Sequence, residues 1–294
     1  MAPSRLAVMV RRRVTRDPGE DWDSFYRRYQ KELATQYLIP LLTRWGLDLH
    51  NGRVLEVGCG DGGCGAAFAA AGCRVTMIDI DRRLVEVARR HNENEGIDAR
   101  VVVGDVTEED ADVFRDGPFD LVMFRDVIEH LDKPARALGM VRHALSGQGL
   151  VFVIFPPYYS PFGAHQQILP RKRVLWVPYN RLPYLQLLPD AAFHRLTGGS
   201  TLAHEEVRRL RQIRLTIHAF HRCIRDAGFV VAREKMYLSR PSFALRYGAP
   251  VLGAPVIGRI PLVRELAITA AYCLLAPAGM AESLPRSTAA THHR

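Results

Sequence analysis

Val54-Leu55-Glu56-Val57-Gly58-Cys59-Gly60-Asp61-Gly62-Gly63 is the stretch whose reading decides the fold. An apolar strand carries an acid near its end and then breaks into glycines, which lets the backbone approach a bound nucleoside closely. Gly58, Gly60 and Gly63 also satisfy Gly-x-Gly-x-x-Gly, and Asp79 follows at about the dinucleotide-binding distance. Two cofactors therefore compete, and charge separates them. The pyrophosphate of NAD wants backbone N–H donors and no carboxylate nearby. S-adenosylmethionine carries a sulfonium and an ammonium, both favoured by negative charge. Glu56 lies inside the strand just before the turn, and acids recur at the ends of the next strands. That pattern suits a cation.

Outward from the turn, four segments come in order. They are Glu56-x-Gly58-x-Gly60-x-Gly62, then Val75-Thr76-Met77-Ile78-Asp79, then Val101-Val102-Val103-Gly104-Asp105-Val106, and finally Phe119 to Leu131 with its Arg125-Asp126-Val127-Ile128-Glu129-His130 end. Over residues 52–156 the chain resembles the class I S-adenosylmethionine-dependent methyltransferases, particularly the bacterial small-molecule branch that includes quinone-biosynthesis enzymes. The resemblance implies a cofactor site built from Glu56, Gly58, Cys59, Gly60 and Gly62 in the turn. It implies that Asp79, with Ile80 beside it, takes the ribose hydroxyls. Asp105, with Val106, would accept from the adenine amino group, and Arg125 and Asp126 complete the set.

The 294 residues suffice for one large α/β domain with an elaboration. Net charge is +9, and all but four of the 40 basic residues are arginine, the lysines being Lys31, Lys133, Lys172 and Lys235. A solvated basic face accounts for the excess; the densest run, Arg11-Arg12-Arg13, lies in an N-terminal arm without the clustered aromatics of a nucleic-acid site, so no such partner is expected. Cys59, Cys64, Cys73, Cys223 and Cys273 have no zinc-like spacing and are odd in number, which fits free thiols in a reducing cytoplasm and no metal. No signal-peptide core is present at the N-terminus.

The expected architecture is a seven-stranded, Rossmann-like, mostly parallel sheet with helices on both faces. Residues 1–20 read as a flexible basic arm. Residues 21–48 read as an amphipathic helical segment, with Trp22, Tyr26, Tyr29, Leu33, Tyr37, Leu41 and Trp45 at helical spacing and a bend near Pro40. Residues 49–155 form the cofactor-binding core, with Asp132 as N-cap of a helix over 133–145 and a fifth strand over 150–155. Residues 156–205, rich in Pro and aromatics, are too apolar for a linker and read as a cap on the substrate side. Residues 206–278 return to the sheet through a helix over 208–227, a sixth strand over 229–237 and a seventh over 266–275; residues 279–294 are a disordered tail.

Methyl transfer from a sulfonium is an in-line displacement, so the enzyme aligns the nucleophile and excludes water. Its acceptor is expected beyond the C-terminal ends of the parallel strands. His130, and His165 in a turn of small residues, are the candidate proton acceptors there, each with a purely structural alternative. His218 and His221 share a helical face but lack a third metal ligand. The aromatic cap favours a small apolar or aromatic acceptor, methylated at oxygen or carbon. The apolar run over 266–281 with Arg240, Arg246, Arg259 and Arg264 upstream leaves peripheral contact with the inner membrane face open. The rival functions are an NAD(P)-dependent oxidoreductase, disfavoured by Glu56 and Asp105, and a non-catalytic S-adenosylmethionine-binding protein.

Overall fold

A computed structural model describes residues 7–8, 13–109, 111–161, 163–169, 173–174, 177–178, 183–199 and 201–280. The cap residues Phe162, Pro170, Trp176 and Tyr179, the arginines Arg11 and Arg12, and residues 281–294 of the expected tail lie outside them.

Chain order runs β1 (Ala7–Val8), α1 (Trp22–Leu33), α2 (Ile39–Arg44), β2 (Arg53–Val57), α3 (Gly63–Ala70), β3 (Arg74–Asp79), α4 (Arg82–Glu95), β4 (Ala99–Val103), β5 (Phe119–Arg125), α5 (Pro134–His143) and β6 (Leu145–Phe155). Residues 156–205 hold the short antiparallel pair β7 (Arg173–Val174) and β8 (Val177–Pro178), then α6 (Asp190–Thr197). There follow α7 (Leu202–Ile213), α8 (Ile217–Asp226), β9 (Phe229–Ser239), α9 (Pro241–Tyr247), β10 (Val251–Gly253), α10 (Pro261–Ala267) and β11 (Ala270–Pro277).

The sheet has nine strands in the order β1-β10-β9-β11-β6-β5-β2-β3-β4, where seven were expected. The two extra strands are short: Ala7–Val8 pairs antiparallel with Val251–Leu252, so the N-terminal arm is stitched to the sheet. Val14 is also buried and donates its N–H to Leu245 O at 2.9 Å. β4-β3-β2-β5-β6 are mutually parallel, and the remaining pairings are antiparallel. β2 pairs with both β3 and β5, so the chain leaves β2 in one direction and returns on its other side. That is the topological switch point, where ligands bind beyond the strand ends. The buried runs of β2, β5 and β6 contribute to two apolar clusters, one on each face, as helices on both sides of a parallel sheet require.

Local departures from expectation have physical causes. The irregularity in the N-terminal helical segment precedes Pro40: Ala34–Leu38 widens into a π turn, which accommodates the missing proline N–H. The N-cap of α5 is Lys133, not Asp132, which pairs with Arg209 at 3.1 Å instead. The helix expected over 208–227 is two, since Arg214 adopts φ +47 and Thr216 then caps α8. β6 starts at Leu145, five residues before the expected strand, and β9 runs on to Ser239. The stretch before the last strand folds as α10, which moves that strand from 266–275 to Ala270–Pro277. Among the described residues no helix is long and apolar enough to cross a membrane.

Candidate active site

The glycine turn leaves β2 at the switch point. Gly58, Gly60 and Gly62 have φ of +67, +56 and +76, a region that L side chains rarely adopt. Gly58 is required for a second reason: a Cβ there would stand 2.3 Å from Val127 Cγ2. The β5 loop thus closes on the turn at this glycine. Around Gly60 a Cβ would meet nothing within 4 Å, so the open side of the turn is here. Gly63 meets helix α1 instead, where a Cβ would fall 2.3 Å from Arg27 O.

Acidic groups surround the turn. Glu56 is buried, its Oε2 accepts from Gly65 N at 2.7 Å, and its Oε1 has no hydrogen-bond partner. Burial pushes this carboxyl up to about 7, against the pull of the Arg125 charge. Asp61 is also buried, accepts from Gly63 N through Oδ1 and leaves Oδ2 without a partner; burial raises it to about 6. Two buried carboxylates with orphaned oxygens are a fit for a cationic group.

Asp79 ends β3 and pins the turn, accepting from Gly60 N at 2.8 Å through Oδ2 and from Asp81 N at 2.9 Å through Oδ1. Each oxygen retains a lone pair for a further donor. Ile80 beside it is 72% exposed, whereas Cys59 and Val106 are buried. Asp105 Oδ1 takes both the Thr107 N–H and hydroxyl, at 2.8 and 2.7 Å.

Beyond β5, Asp126 stands at φ +53 and accepts from Arg240 Nη1 at 3.0 Å and Nη2 at 3.4 Å. Burial would raise its pKa, but Arg240 and Arg125 together hold it below the ordinary range. Glu129 is buried with neither carboxyl oxygen hydrogen-bonded, and burial raises it to about 8. Its Oε1 lies 3.8 Å from His130 Nε2 and 3.9 Å from His165 Nε2. His130 Nδ1 meets Glu206 Oε1 of α7 at 2.5 Å; although burial opposes the charge, Glu206 and Glu129 raise its pKa overall. His165, at φ +53, is lowered to about 3 by burial and by the neighbouring His130. Ligand-type atoms of Glu129, His130 and His165 all lie within 4.8 Å of one another, a spacing that a divalent cation could use. His218 and His221 do not join them; His221 pairs with Glu234 at 2.9 Å. A cleft of about 730 Å³ is lined by Asp132, Ile168, Leu202, Glu206, Arg209 and Gln212, so Glu206 belongs both to the cleft and to the His130 contact.

The fold thus brings both histidines together and places the acids around the turn. Three contributors escape the linear reading. Arg27 of α1 is buried and bonds to Asp61 O at 2.7 Å, Asn92 Oδ1 at 2.8 Å and Glu95 Oε1 at 2.5 Å, clamping the turn to α4. Arg240 and Glu206 come from far along the chain. Arg27 lies off the stripe of Trp22, Tyr26, Tyr29 and Leu33, so helical spacing gives no sign of its burial.

Residues 54–149 match the family model described as a methyltransferase domain. With the switch-point turn and its acids, this segment is a class I S-adenosylmethionine-dependent methyltransferase domain, whose cofactor is S-adenosylmethionine. The chain is similar to the ubiquinone biosynthesis O-methyltransferase of Xylella fastidiosa (strain M23), 35% identical over 107 residues, which cover 36% of this chain and 43% of that protein. It is equally similar to the enzyme of that name from Xanthomonas euvesicatoria pv. vesicatoria, 35% identical over 107 residues covering 36% and 44%. The chain therefore spans less than half the length of these curated relatives. Its fold matches that of magnesium protoporphyrin IX methyltransferase from Synechocystis PCC 6803, with a TM-score of 0.50 over 89% of this chain and 90% of that one at 15% identity.

Proposed function

We propose that this chain transfers a methyl group from S-adenosylmethionine to a hydroxyl oxygen of a small, partly apolar molecule. The observation that carries the cofactor assignment is the pair of buried acids with orphaned oxygens, Glu56 and Asp61, beside an open glycine turn at the switch point. The cofactor supplies a methyl on a positively charged sulfur. Glu56 and Asp61 favour that charge and the ammonium, while the lone pairs left on Asp79 and Asp105 suit the ribose hydroxyls and the adenine amino group. Ile80, exposed at the rim, offers an apolar face to the base. Gly58, Cys59, Gly60, Gly62 and Val106 shape the backbone around it, and Arg125 and Asp126 close the side toward β5.

His130 is our choice of proton acceptor over His165. Glu206 orients it through Nδ1, which leaves Nε2 toward Glu129 and His165. A histidine raised in pKa takes a phenolic proton more readily than one lowered to about 3. Quinone-biosynthesis relatives support a hydroxyl on an aromatic ring as acceptor. The cleft beside Glu206 mixes Ile168 and Leu202 with charged neighbours, which suits an acceptor with one apolar and one polar side. Free thiols at all five cysteines support a cytoplasmic setting.

Thermal melting and calorimetry with S-adenosylhomocysteine and with NADH test the cofactor: the first should stabilise and bind, the second should not. Incubation with dihydroxyaromatic acceptors should add one methyl by mass. His130→Gln should lower kcat with cofactor affinity intact, and Glu206→Gln should move the acidic limb of the pH profile to lower pH. Binding of NADH alone would overturn the assignment.

A further inference from the structure

Helix α10 is built inside out. Its charged residues Arg264 and Glu265 point inward, with side chains only 15% and 14% exposed, and none of its residues is fully buried. Glu265 is committed to the fold, accepting the Ile217 and His218 N–H groups at the start of α8 at 2.9 and 3.0 Å. The apolar residues of the same segment face solvent: Leu262 is 81% exposed, Val256 69%, and Ile260, Val263 and Leu266 between 41% and 46%. A helix in water puts its apolar stripe against the core and its charges outside. The reversed arrangement implies that this face meets something other than water. The patch extends toward the cap, because Tyr184 Oη donates to Leu266 O at 3.1 Å, and Leu187 of the same cap turn is 53% exposed.

We infer that this face docks on an anionic lipid bilayer. Charge favours that occupant. Residues 240–280 contain a single acid, Glu265, whose carboxylate is already occupied; of their arginines, Arg240 is paired with Asp126 and Arg264 turns inward, which leaves Arg259 as the exposed one. Exposed Arg259 flanks the apolar residues, so a cation stands beside the patch, and the one acid within residues 240–280 is taken up by the α8 N–H groups. The whole chain carries +9. Apolar side chains that enter the headgroup boundary next to arginines are the composition of an interfacial anchor. The patch offers roughly a few hundred Å², enough to mark an interaction site but short of the roughly 800 Å² per partner of a stable protein interface. A second copy of the chain is therefore the less favoured occupant. The inference is independent of the methyl-transfer reading, since none of the patch residues Val256, Arg259, Ile260, Leu262, Val263 and Leu266 belongs to the cofactor site.

Flotation of the full chain with vesicles of phosphatidylcholine alone, and with about a third phosphatidylglycerol, tests it. The chain should bind the mixed vesicles and not the neutral ones, and added salt should weaken binding. Leu262→Asp should lower partitioning at least tenfold, and Arg259→Glu about fivefold or more. Both variants should keep parental melting and S-adenosylhomocysteine binding, which reports the fold separately from docking. Equal binding to both vesicles, none to either, or no response to both substitutions would overturn the inference. So would a dimer in light scattering that Leu262→Asp dissociates, because the face would then be a contact between copies.

Discussion

Glu56→Gln should make the ligand-free protein more stable and the cofactor bind more weakly. Glu56 is 1% exposed, and its carboxyl titrates near 7 in place of 4.5, with burial as the main cause. A carboxyl raised in the folded state contributes stability that is fully present below 4.5 and is lost as pH climbs to about 7. From 4.5 to about 7, at about 1.36 kcal/mol per pH decade, the loss is about 3 kcal/mol. Gln keeps the shape, can accept the Gly65 N–H through its carbonyl, and never ionises. The pull of Arg125 is already contained in that shift, so the gain stays at about 3 kcal/mol. Urea unfolding without ligand should give nearly equal stability for variant and parent at pH 5. The variant should lead by about 3 kcal/mol at pH 8. Calorimetry at pH 8 should show cofactor affinity at least tenfold lower, because the buried anion facing the cation is gone. A stability gap that stays constant with pH, or that favours the parent at pH 8, would refute the reasoning.

Asp79→Ala should cost roughly 1.5–3 kcal/mol of cofactor binding for each ribose bond lost. It should also lower the melting temperature, since the Gly60 and Asp81 N–H groups lose their acceptor; unchanged affinity by calorimetry would remove Asp79 from the site. Gly58→Ala should destabilise by about 1–3 kcal/mol through the 2.3 Å approach to Val127 and the positive φ, and Val127→Ala should restore part of that in the double variant. A fully stable single variant in urea would contradict the contact. Arg27→Met should cost about 2–4 kcal/mol, because it strips hydrogen bonds from the Asp61 carbonyl and Asn92 and leaves Glu95 with Lys31 alone. Equal unfolding midpoints would show that the clamp is dispensable.

The parallel half of the sheet and the acids around it were legible because they rest on local signals. Arg53–Val57 and Arg74–Asp79 are largely apolar runs ended by glycine or acid, and β2 and β3 appear there residue for residue. The antiparallel half was harder. Val251–Gly253 has three residues, too few for any periodicity, and the Leu266–Leu275 run mixes the end of a helix with a strand of similar hydropathy. The site divides in the same way. Asp79 could be read as an acceptor but not as the pin of Gly60, and Asp126 could be read without Arg240, which lies 114 residues away. Glu129 was visible in the sequence, but its isolation from hydrogen-bond donors follows only from packing.

The most C-terminal strand among the described residues does not add to the edge of the sheet. β11 enters between β6 and β9, and Ala270, Ala271, Cys273, Leu275 and Ala276 end with no exposed surface. On the ribosome, β6 therefore waits with an open edge while more than a hundred further residues are made. During that interval its Leu150–Phe155 run, paired only with β5, is an apolar edge strand of the kind that pairs with other chains. Yield in a cell should depend on how quickly residues 270–277 follow, so slow translation or chaperone depletion should send this protein into aggregates without changing any residue of its site.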